Sequence, residues 1–512
     1  MADTTTVPAA TTVPVTTTVP VTTTTRAATT IPADAGPAPL GAGVRTGVDF
    51  CGERSGQAPL TWGQLAIWHA IGRTAPNDHY FNIGRILPLA DRGRPATVDG
   101  ATRALGALVE RHEALRTRMA PGGDGQPGQI LAATGFLPVT VVPAPDTAAA
   151  GRLAQEVLDG LCATRFDYRE EWPLRVALVS VGDQVTHAVL VLCHLAADGH
   201  AAEVLVRDLR LLVRRGSAGR PPATTPLDLA REQHGEAGLR RGATALAHWE
   251  AGYRASPATM FLRPAAEPRT PRFWTGRIVS PALARAVAMV AATHRVSGST
   301  VLLAASAALV AAGQGHRTAA VMPIVGNRTA PAHRDLVTTL SQDGLFVLDL
   351  GADASGTGFT DLLPGAYQAA LRAYRAARYD PVAWDALAER LRQEYGHEVH
   401  PYCCFNDMRL VERPVAVAAV STPAELDAAR SRTRFGFPAT QDRVACRYCL
   451  HITEEGDALA VALTADTAYQ PPDAIRAHLY AMEELIVSSA AGRPPLLSAL
   501  PGLLDAAGRN TP

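Results

Sequence analysis

The segment 186–215 constrains the fold of this chain more than any other stretch. Residues 188–193 form a nearly unbroken apolar run, which is typical of a buried strand. After His194 and an Asp-Gly pair, apolar residues recur at three- and four-residue steps over 202–213, which indicates one apolar helix face. Gly216 follows as a stop signal. The sequence therefore predicts a buried strand, a tight turn and an amphipathic helix in direct succession.

This succession places His194 at the mouth of the strand, in the turn before a helix N-terminus. The position of the imidazole is then fixed and its pKa can be tuned, which suits proton transfer. The residues alone leave a second interpretation open, in which His194 is a hydrogen-bonded core histidine and Asp198 is a helix N-cap.

The chain contains no lysine, so all 48 residues counted as Lys plus Arg are arginine. A Schiff-base lysine, a P-loop lysine and a kinase-type lysine are therefore excluded. We infer that the protein does not activate its substrate with ATP through those folds. We expect that it receives a substrate that is already activated.

Composition also argues against two classes of partner. The formal net charge is zero, and no basic stretch is interleaved with aromatic residues, so we expect no nucleic-acid partner. No run of about 18 apolar residues occurs. We therefore expect no transmembrane helix and no membrane partner.

Residues 1–44 are rich in Thr and Pro, and Thr-Thr-Thr-Val-Pro recurs there with small variations. Such a composition cannot build a core, so we predict a disordered tail. A spacer that tethers a partner protein is the functional alternative to a dispensable tail.

Seven cysteines in 512 residues do not indicate a disulfide framework. Cys446 and Cys449 form a C-x-x-C pair, and a zinc site would take its other ligands from Cys403, Cys404, His400 and His451. However, a spacing of three on the predicted strand 444–453 places Cys446 and Cys449 on opposite faces. We therefore expect no metal, reduced cysteines and a cytoplasmic protein.

Alternating strand and helix patterns on both sides of a Pro/Gly/Ser-rich stretch, 216–226, predict an α/β chain of two similar-sized lobes. We place the N-terminal lobe at 45–218 and the C-terminal lobe at 219–505. Near the start of the first lobe, Thr61 and Gln64 fit a helix capping box. The charged stretch 111–117 follows a predicted helix and is either a solvated helix end or a set of buried, partnered charges.

Several separated stretches together resemble the condensation domains of nonribosomal peptide synthetases, within the chloramphenicol acetyltransferase-like superfamily. The matching stretches, in chain order, are 61–68, 111–117, Cys193 to Gly199, 247–253, 326–328 and 344–347. The stretch 111–117 matches the family pattern Arg-His-Glu-x-Leu-Arg-Thr in full. The likeness extends from about residue 55 to 490.

The resemblance implies two acetyltransferase-like lobes in a V-shaped pseudo-dimer with a tunnel between them. It implies that His194 is the catalytic histidine and that the N–H of Gly199 can face the tetrahedral intermediate. Asp198 would be structural and pair with an arginine that holds the loop. Arg328 is the first candidate for that arginine and Arg116 the second.

The function implied is condensation of a carrier-bound acyl or aminoacyl thioester with an amine or hydroxyl, forming an amide or ester in natural-product biosynthesis. The partners would be acyl or peptidyl carrier proteins and a small-molecule or carrier-bound acceptor. The phosphopantetheine arm of the carrier would be the substrate tether, with no cofactor intrinsic to the chain. We expect a free-standing, monomeric enzyme.

Two other functions stay open. One is a non-catalytic domain that recruits a carrier protein or a tailoring enzyme, and the other is an acyl-CoA-dependent acyltransferase.

The chain departs from the family pattern at three positions. Cys193 stands where the motif has its first histidine, a residue that supports the loop; a nucleophilic role for a thiol at the end of a buried strand is not expected. Ala66 replaces a frequent Arg, and Leu348 replaces a common Asn. His200 adds a titratable group after the Asp-Gly pair, expected at the surface or in the first helical turn.

Overall fold

A computed structural model describes residues 43–89, 96–122, 126–351, 356–409 and 421–509. The predicted disordered tail, 1–44, lies outside the described residues except for its last two positions. Within the described ranges the chain builds two separate large sheets, each covered by helices.

The first large sheet belongs to the N-terminal half. The strands of this half are β1 Val44–Cys51, β2 Gly56–Pro59, β3 Ile83–Pro88, β4 Ala96–Thr97, β5 Thr117–Pro121, β6 Pro127–Leu131, β7 Thr134–Pro143, β8 Leu174–Val181 and β9 Gln184–Leu192. Its helices are α1 Trp62–Thr74, α2 Val98–Arg111, α3 Thr147–Cys162 and α4 Gly199–Arg215. The large sheet has the order β1-β7-β8-β9-β3, with β4 paired to β9, and β2-β6-β5 form a small second sheet.

Strand β9 is central because both of its faces are buried. Leu190 and Leu192 point to a core shared with α2 and α4, whereas Val189 and Val191 point to a core shared with α3. Alternate side chains of a strand face opposite sides of its sheet, so an unbroken apolar run is what this position requires. The predicted strand and helix of 186–215 are confirmed as β9 and α4.

The second large sheet belongs to the C-terminal half. Its strands are β10 Phe273–Ser280, β11 Thr318–Val325, β12 Gln342–Asp343, β13 Phe346–Asp349, β14 Cys403–Asp407, β15 Arg434–Gln441, β16 Tyr448–Glu455 and β17 Ala458–Asp466. The order is β12-β11-β14-β16-β17-β10-β15, with β13 also paired to β11. The helices of this half are α5 Pro226–His234, α6 Glu236–Ala255, α7 Pro281–His294, α8 Gly298–Gln314, α9 Leu363–Arg375, α10 Pro381–Tyr395, α11 Pro423–Arg430, α12 Pro472–Ala490 and α13 Leu500–Arg509.

The core of this half is larger. Helices α7, α8 and α12 pack over the sheet, and α8 is buried all round. Trp249 of α6 is fully buried, and its ring lies 5.2 Å from the ring of Tyr379 and 5.7 Å from that of Trp384. The two sheets use strands from 44–192 and from 273–466, while the predicted lobe boundary at 218/219 stays a prediction.

No single helix in the described ranges is long and apolar enough to cross a membrane. Helices α7 and α8 meet the length and composition criteria only as a pair bent by 103°. Both of them contribute buried residues to the C-terminal core.

A buried ionic cluster joins α2 to α4. Asp208 of α4 is fully buried, and its carboxylate accepts hydrogen bonds from Arg111 Nε at 2.7 Å and Arg207 Nε at 2.8 Å, with His112 Nε2 at 3.0 Å. Burial alone would raise the pKa of Asp208, but these hydrogen bonds lower it to about 2. The stretch 111–117 is therefore a set of buried, partnered charges and not a solvated helix end.

We predict that Asp208→Ala destabilises the fold by about 3–5 kcal/mol, because it leaves the nearly buried guanidinium of Arg111 without its counter-charge. The control is Asp335→Ala, since Asp335 pairs with the same Arg207 but its side chain is 42% exposed; its loss should cost less than about 1 kcal/mol. Urea unfolding followed by circular dichroism measures both. Equal losses in the two variants would contradict a structural role for the buried cluster.

Candidate active site

The loop between β9 and α4 carries His194. Cys193 N donates to Pro173 O at 3.0 Å, and Ala196 N donates to Cys193 O at 3.0 Å, so the backbone is held on both sides of the histidine. His194 is 3% exposed, and its ring lies 6.3 Å from that of Phe81 in an edge-to-face arrangement. The imidazole is therefore fixed in a nearly closed interior.

Thr339, from the C-terminal half, contacts both the ring and the backbone of His194. Its hydroxyl donates to the carbonyl oxygen of His194, and its Oγ1 lies 3.3 Å from His194 Nδ1. Because a hydroxyl has one proton, Oγ1 can only accept from Nδ1–H. This pairing assigns the ring proton to Nδ1 and makes Nε2 the basic nitrogen.

Burial also sets the charge of this imidazole. Desolvation lowers the pKa of His194 below its ordinary value. A hydrogen bond to its own backbone, the nearby Asp198 carboxylate and the backbone of Ala197 oppose this only in part. His194 is therefore neutral near pH 7, which is the form that can accept a proton.

Asp198 joins the loop to both halves of the protein. It caps α4, where its Oδ1 accepts from Ala201 N at 2.9 Å. Its Oδ2 accepts from Arg328 Nη1 at 2.6 Å and from Leu340 N at 3.0 Å. The side chains of Asp198 and Arg328 are only 5% and 8% exposed, so this is a buried ion pair.

The pKa of Asp198 reflects these contacts. Burial alone would raise this pKa, but the charge and hydrogen bond of Arg328 and the two backbone N–H groups outweigh burial and lower it. The carboxylate therefore stays ionised near pH 7 and keeps its three partners.

Arg328 organises the C-terminal segment that meets the loop. Its Nη2 donates to Thr338 O at 3.1 Å and to Leu336 O at 3.4 Å, and its Nη1 also reaches Gly326 O at 3.1 Å. A planar guanidinium can make several such contacts at fixed angles. Arg328 thus fixes the residues before Thr339 against the His194 loop.

Arg116 does not reach Asp198, so the sequence-based second choice of loop partner is wrong. Its Nη1 donates to Arg54 O at 2.8 Å and to Ala132 O at 2.5 Å, within the N-terminal half. The reason is local geometry, since the turn Glu113–Arg116 leads directly into β5 and the small sheet. Gly52 leaves room for the guanidinium there, because a Cβ at that position would lie 2.3 Å from Arg116 Cζ.

Gly199 is the first residue of α4 and is exposed. No described atom lies within 4 Å of the position a Cβ would take there, leaving out its two chain neighbours and the backbone of its own helix turn. The N-terminal N–H groups of a helix carry partial positive charge. Gly199 thus combines a helix N-terminus with open space beside it, and it follows His194 by five residues.

Helix α1 supports the loop from the other side. Thr61 and Gln64 form the predicted capping box, and Gln64 Nε2 donates to Leu195 O at 3.3 Å. A Cβ on Gly63 would lie 2.3 Å from Thr339 O. Gly63 is therefore small because α1 packs directly against the backbone that positions His194.

Cys193 is 3% exposed, and burial raises its pKa to about 12. Its thiol is therefore protonated near pH 7 and is a poor nucleophile. It packs in the core beneath the loop, with residues of α1 and α3.

The other two departures from the family pattern, Ala66 and Leu348, are both buried. Ala66 is buried within α1, and Leu348 is buried in the C-terminal core. His200 is the second residue of α4, and its Nε2 lies 2.9 Å from Arg334 O. His200 thus adds a further contact between the two halves.

Cys446 and Cys449 form a disulfide in the structure, so the expectation of reduced cysteines is wrong for this pair. Strand β16 begins at Tyr448, so Cys446 lies in the preceding loop and the opposite-face argument does not apply to it. The cysteines therefore no longer support the expected cytoplasmic location. In the part of the chain that the structure describes, no three His, Cys, Asp or Glu side chains are grouped to hold a metal ion.

Comparison with known proteins defines the family. The family model for the condensation domain matches residues 56–393. The chain is 29% identical over 358 residues to phosphinothricin tripeptide synthetase PhsC of Streptomyces viridochromogenes, covering 66% of this chain and 31% of that protein. It is 32% identical over 368 residues to CymA of Salinispora arenicola, a probable non-canonical nonribosomal peptide synthetase, covering 67% of this chain and 4% of that one.

A solved structure agrees on the fold. The condensation domain from Monacolin K polyketide synthase MokA superposes with a TM-score of 0.66 at 17% identity, covering 86% of this chain and 99% of that one. The chain belongs to the condensation domain family. The predicted α/β fold with two acetyltransferase-like lobes is confirmed, while the V shape and the tunnel stay predictions. The chain spans less than a third of the length of the two synthetases.

We predict that Gly63→Ala lowers acyl-transfer turnover by about 10- to 100-fold, because the added methyl displaces the backbone of Thr339. Gly72→Ala is the matched control in the same helix, since no described atom outside the helix's own backbone and chain neighbours lies within 4 Å of its Cβ position. Turnover and melting temperature are measured together. A Gly63→Ala enzyme as fast as wild type would contradict this role for α1.

We predict that Asp198→Asn lowers the free energy of unfolding by about 3 kcal/mol at pH 7, because Arg328 loses its buried counter-charge. The pKa of Asp198 is lowered in the folded state, so the wild-type advantage is complete above the unfolded pKa of about 3.9 and shrinks as the pH falls below it. Urea unfolding from pH 3 to pH 8 measures the difference. Asp183→Asn, in the exposed turn between β8 and β9, should show no such difference, and a wild-type advantage that is as large at pH 3 as at pH 7 would contradict the assignment.

Proposed function

We propose that this protein joins a carrier-bound acyl or aminoacyl thioester to an amine or hydroxyl, forming an amide or an ester in natural-product biosynthesis. The observation that carries the proposal is the buried, neutral His194, whose Nδ1 is paired with Thr339 and whose Nε2 is the basic nitrogen. The condensation family catalyses acyl transfer, and the resemblance of Cys193 to Gly199 to the family motif supports His194 as the catalytic histidine.

The residues around His194 can perform the proton transfer and the charge stabilisation that the reaction requires. The acceptor nitrogen or oxygen attacks the thioester carbonyl, and Nε2 of His194 takes or redirects the proton that the acceptor loses. The tetrahedral oxyanion would face the N–H of Gly199, at the positive end of α4. Collapse breaks the carbon–sulfur bond, and the departing thiolate takes the proton that Nε2 of His194 received from the acceptor.

The partners follow from this chemistry. An acyl or peptidyl carrier protein would deliver the thioester on a phosphopantetheine arm, which is a substrate tether and not a cofactor of this chain. The acceptor would be a small molecule or a second carrier-bound group, entering the predicted tunnel from the other side. We propose that the enzyme acts as a monomer, because Asp198, Thr339 and Arg328 complete the site from the two halves of one chain.

Catalysis is favoured over a recruitment role by the completeness of the support around His194. A domain that only binds a partner has no need for a buried Asp198–Arg328 pair or for Thr339 beside the imidazole. Acyl-CoA as donor is the remaining alternative, and the experiment below separates it.

We predict that His194→Ala lowers product formation by about 10²- to 10⁴-fold, because the positioned base is lost. An acyl-loaded carrier protein is incubated with enzyme and a panel of amines and alcohols, and mass spectrometry records loss of the acyl mass and the condensed product. The control is His187→Ala, a histidine of β9 outside the loop, which should be as active as wild type. Equal activity of His194→Ala and wild type would refute the proposal.

Two further measurements test the two alternative functions. Transfer from free acyl-CoA at the same rate as from the carrier would establish the coenzyme-dependent reaction instead. Tight carrier binding without transfer would establish recruitment.

A further inference from the structure

A polar cleft lies between the N-terminal half and the segment that follows α4. It has a volume of about 410 Å³, which is within the usual range for small-molecule sites. Its wall consists of residues 51–54, 110–113, 221–222 and 224–226, together with Arg116 and Val337. No described residue of the His194 loop, 193–199, is among them. The cleft is therefore separate from the proposed active site.

One lining side chain is a buried carboxylate that accepts no hydrogen bond from any described residue. Glu113 is 8% exposed, and its Oε2 has no described partner. Its Oε1 lies 3.5 Å from Arg54 Nε and 3.9 Å from Arg116 Nη2, and both distances are longer than those of N–H···O hydrogen bonds. A buried carboxylate is normally hydrogen-bonded. Glu113 therefore lacks a donor that the described part of the chain does not supply.

His112 supplies a second unused acceptor in the wall of the cleft. It is 2% exposed, and its Nε2 lies 3.0 Å from Asp208 Oδ2. Because a carboxylate only accepts, Nε2 carries the ring proton, and burial lowers the pKa of His112, which keeps the ring neutral. Nδ1 is then an acceptor, and it has no partner among the described residues.

The cleft also carries an excess of negative charge. Three glutamates line it, namely Glu53, Glu110 and Glu113. Two of the three lining arginines already have counter-charges outside the wall. Arg54 Nη2 donates to Asp228 Oδ1 at 2.8 Å, and Arg111 Nε donates to Asp208 Oδ2 at 2.7 Å. Only the guanidinium of Arg116, whose Nη1 donates to two carbonyl oxygens, then remains against three carboxylates.

The chemistry of the missing partner follows from these groups. Ammonium groups carry positive charge and have N–H donors but no acceptor, so they match both the unused acceptors and the excess charge. A metal ion fits less well, because no three His, Cys, Asp or Glu side chains of the described residues are grouped to hold one. Three carboxylates in one elongated wall call for more than one ammonium group.

We propose that this cleft binds a linear polyamine. One ammonium group donates to Glu113 and His112, and a second lies between the exposed carboxylates of Glu53 and Glu110. Because Val337 belongs to the C-terminal half, the bound polyamine contacts both halves of the protein. The inference goes beyond the proposed function and does not rest on it.

Calorimetry with the full chain at pH 7 tests the ligand class. The probes are spermidine, the singly charged n-butylamine and Mg²⁺, in about 0.15 M salt to screen nonspecific attraction between charges. Spermidine should bind at one site and at least about tenfold more tightly than either of the other probes, because each charge-assisted hydrogen bond adds affinity.

Variants of the lining carboxylates test the site. Glu113→Gln keeps the shape of the side chain and removes its charge, so it should weaken spermidine binding by about 10- to 100-fold. Glu110→Gln should weaken binding by about two- to fivefold, because that carboxylate is exposed. The control is Glu267→Gln, an exposed acid outside the cleft wall, which should bind spermidine as the wild type does. Melting curves verify folding, and Glu110→Gln serves alone should Glu113→Gln fail to fold.

Cys51 reports where the probe binds, because its thiol is exposed and it lines the cleft. With spermidine at about ten times its Kd, alkylation of Cys51 by N-ethylmaleimide should slow by about tenfold, since only the empty cleft leaves the thiol accessible. Peptide mass spectrometry measures the rate. Cys162, half-buried and outside the cleft wall, should react at an unchanged rate.

The proposal is overturned if spermidine does not bind, or if n-butylamine or Mg²⁺ binds as tightly. Wild-type affinity in both glutamine variants of the cleft would overturn it too, and so would unprotected alkylation of Cys51 in the presence of bound spermidine. His194→Ala should bind spermidine as tightly as the wild type while losing acyl transfer. Failure of the proposed function and failure of this inference are therefore distinguishable.

Discussion

The buried carboxylate of Asp198 is the contact on which the rest of the site depends. It caps α4, neutralises Arg328 and accepts from the backbone of Leu340, so a single side chain fixes a helix N-terminus of one half against two elements of the other. Such an ion pair is not a large net source of stability, because desolvation offsets most of the attraction. The ion pair instead fixes the position of the two halves, because any displacement would leave a buried charge without a partner.

A second buried acid, Asp208, anchors the same helix. Asp208 lies ten residues after Asp198, about 15 Å further along α4, and is held by Arg111 and His112 at the end of α2. The helix is thus anchored at its start to the C-terminal half and further along to the N-terminal core. His194 is positioned between the strand β9 and this doubly anchored helix, and Thr339 completes its surroundings. The conformation of the His194 loop therefore depends on contacts from both halves.

Local patterns predicted a large part of this arrangement. The apolar run before His194, the periodic face of α4 and the capping box of Thr61 and Gln64 each depend on neighbours within one turn or one strand, so they are readable in sequence. The resemblance to a family added Arg328 as a partner for Asp198. Arg116 was assigned wrongly because its motif gives no direction for the side chain. Cys446 was assigned wrongly because the strand begins at Tyr448, four residues after the predicted start at 444.

The sequence by itself determined the strand–turn–helix unit, the identity of its histidine, the absence of lysine chemistry and the two-lobed α/β class, because periodicity, capping and composition are local quantities. Only the tertiary structure decided that Thr339 holds the imidazole and that Gly63 is small because it faces that threonine's carbonyl. These contacts join residues up to about 280 positions apart in the chain. No local pattern encodes them, since each depends on how two separately formed sheets and their helices come together.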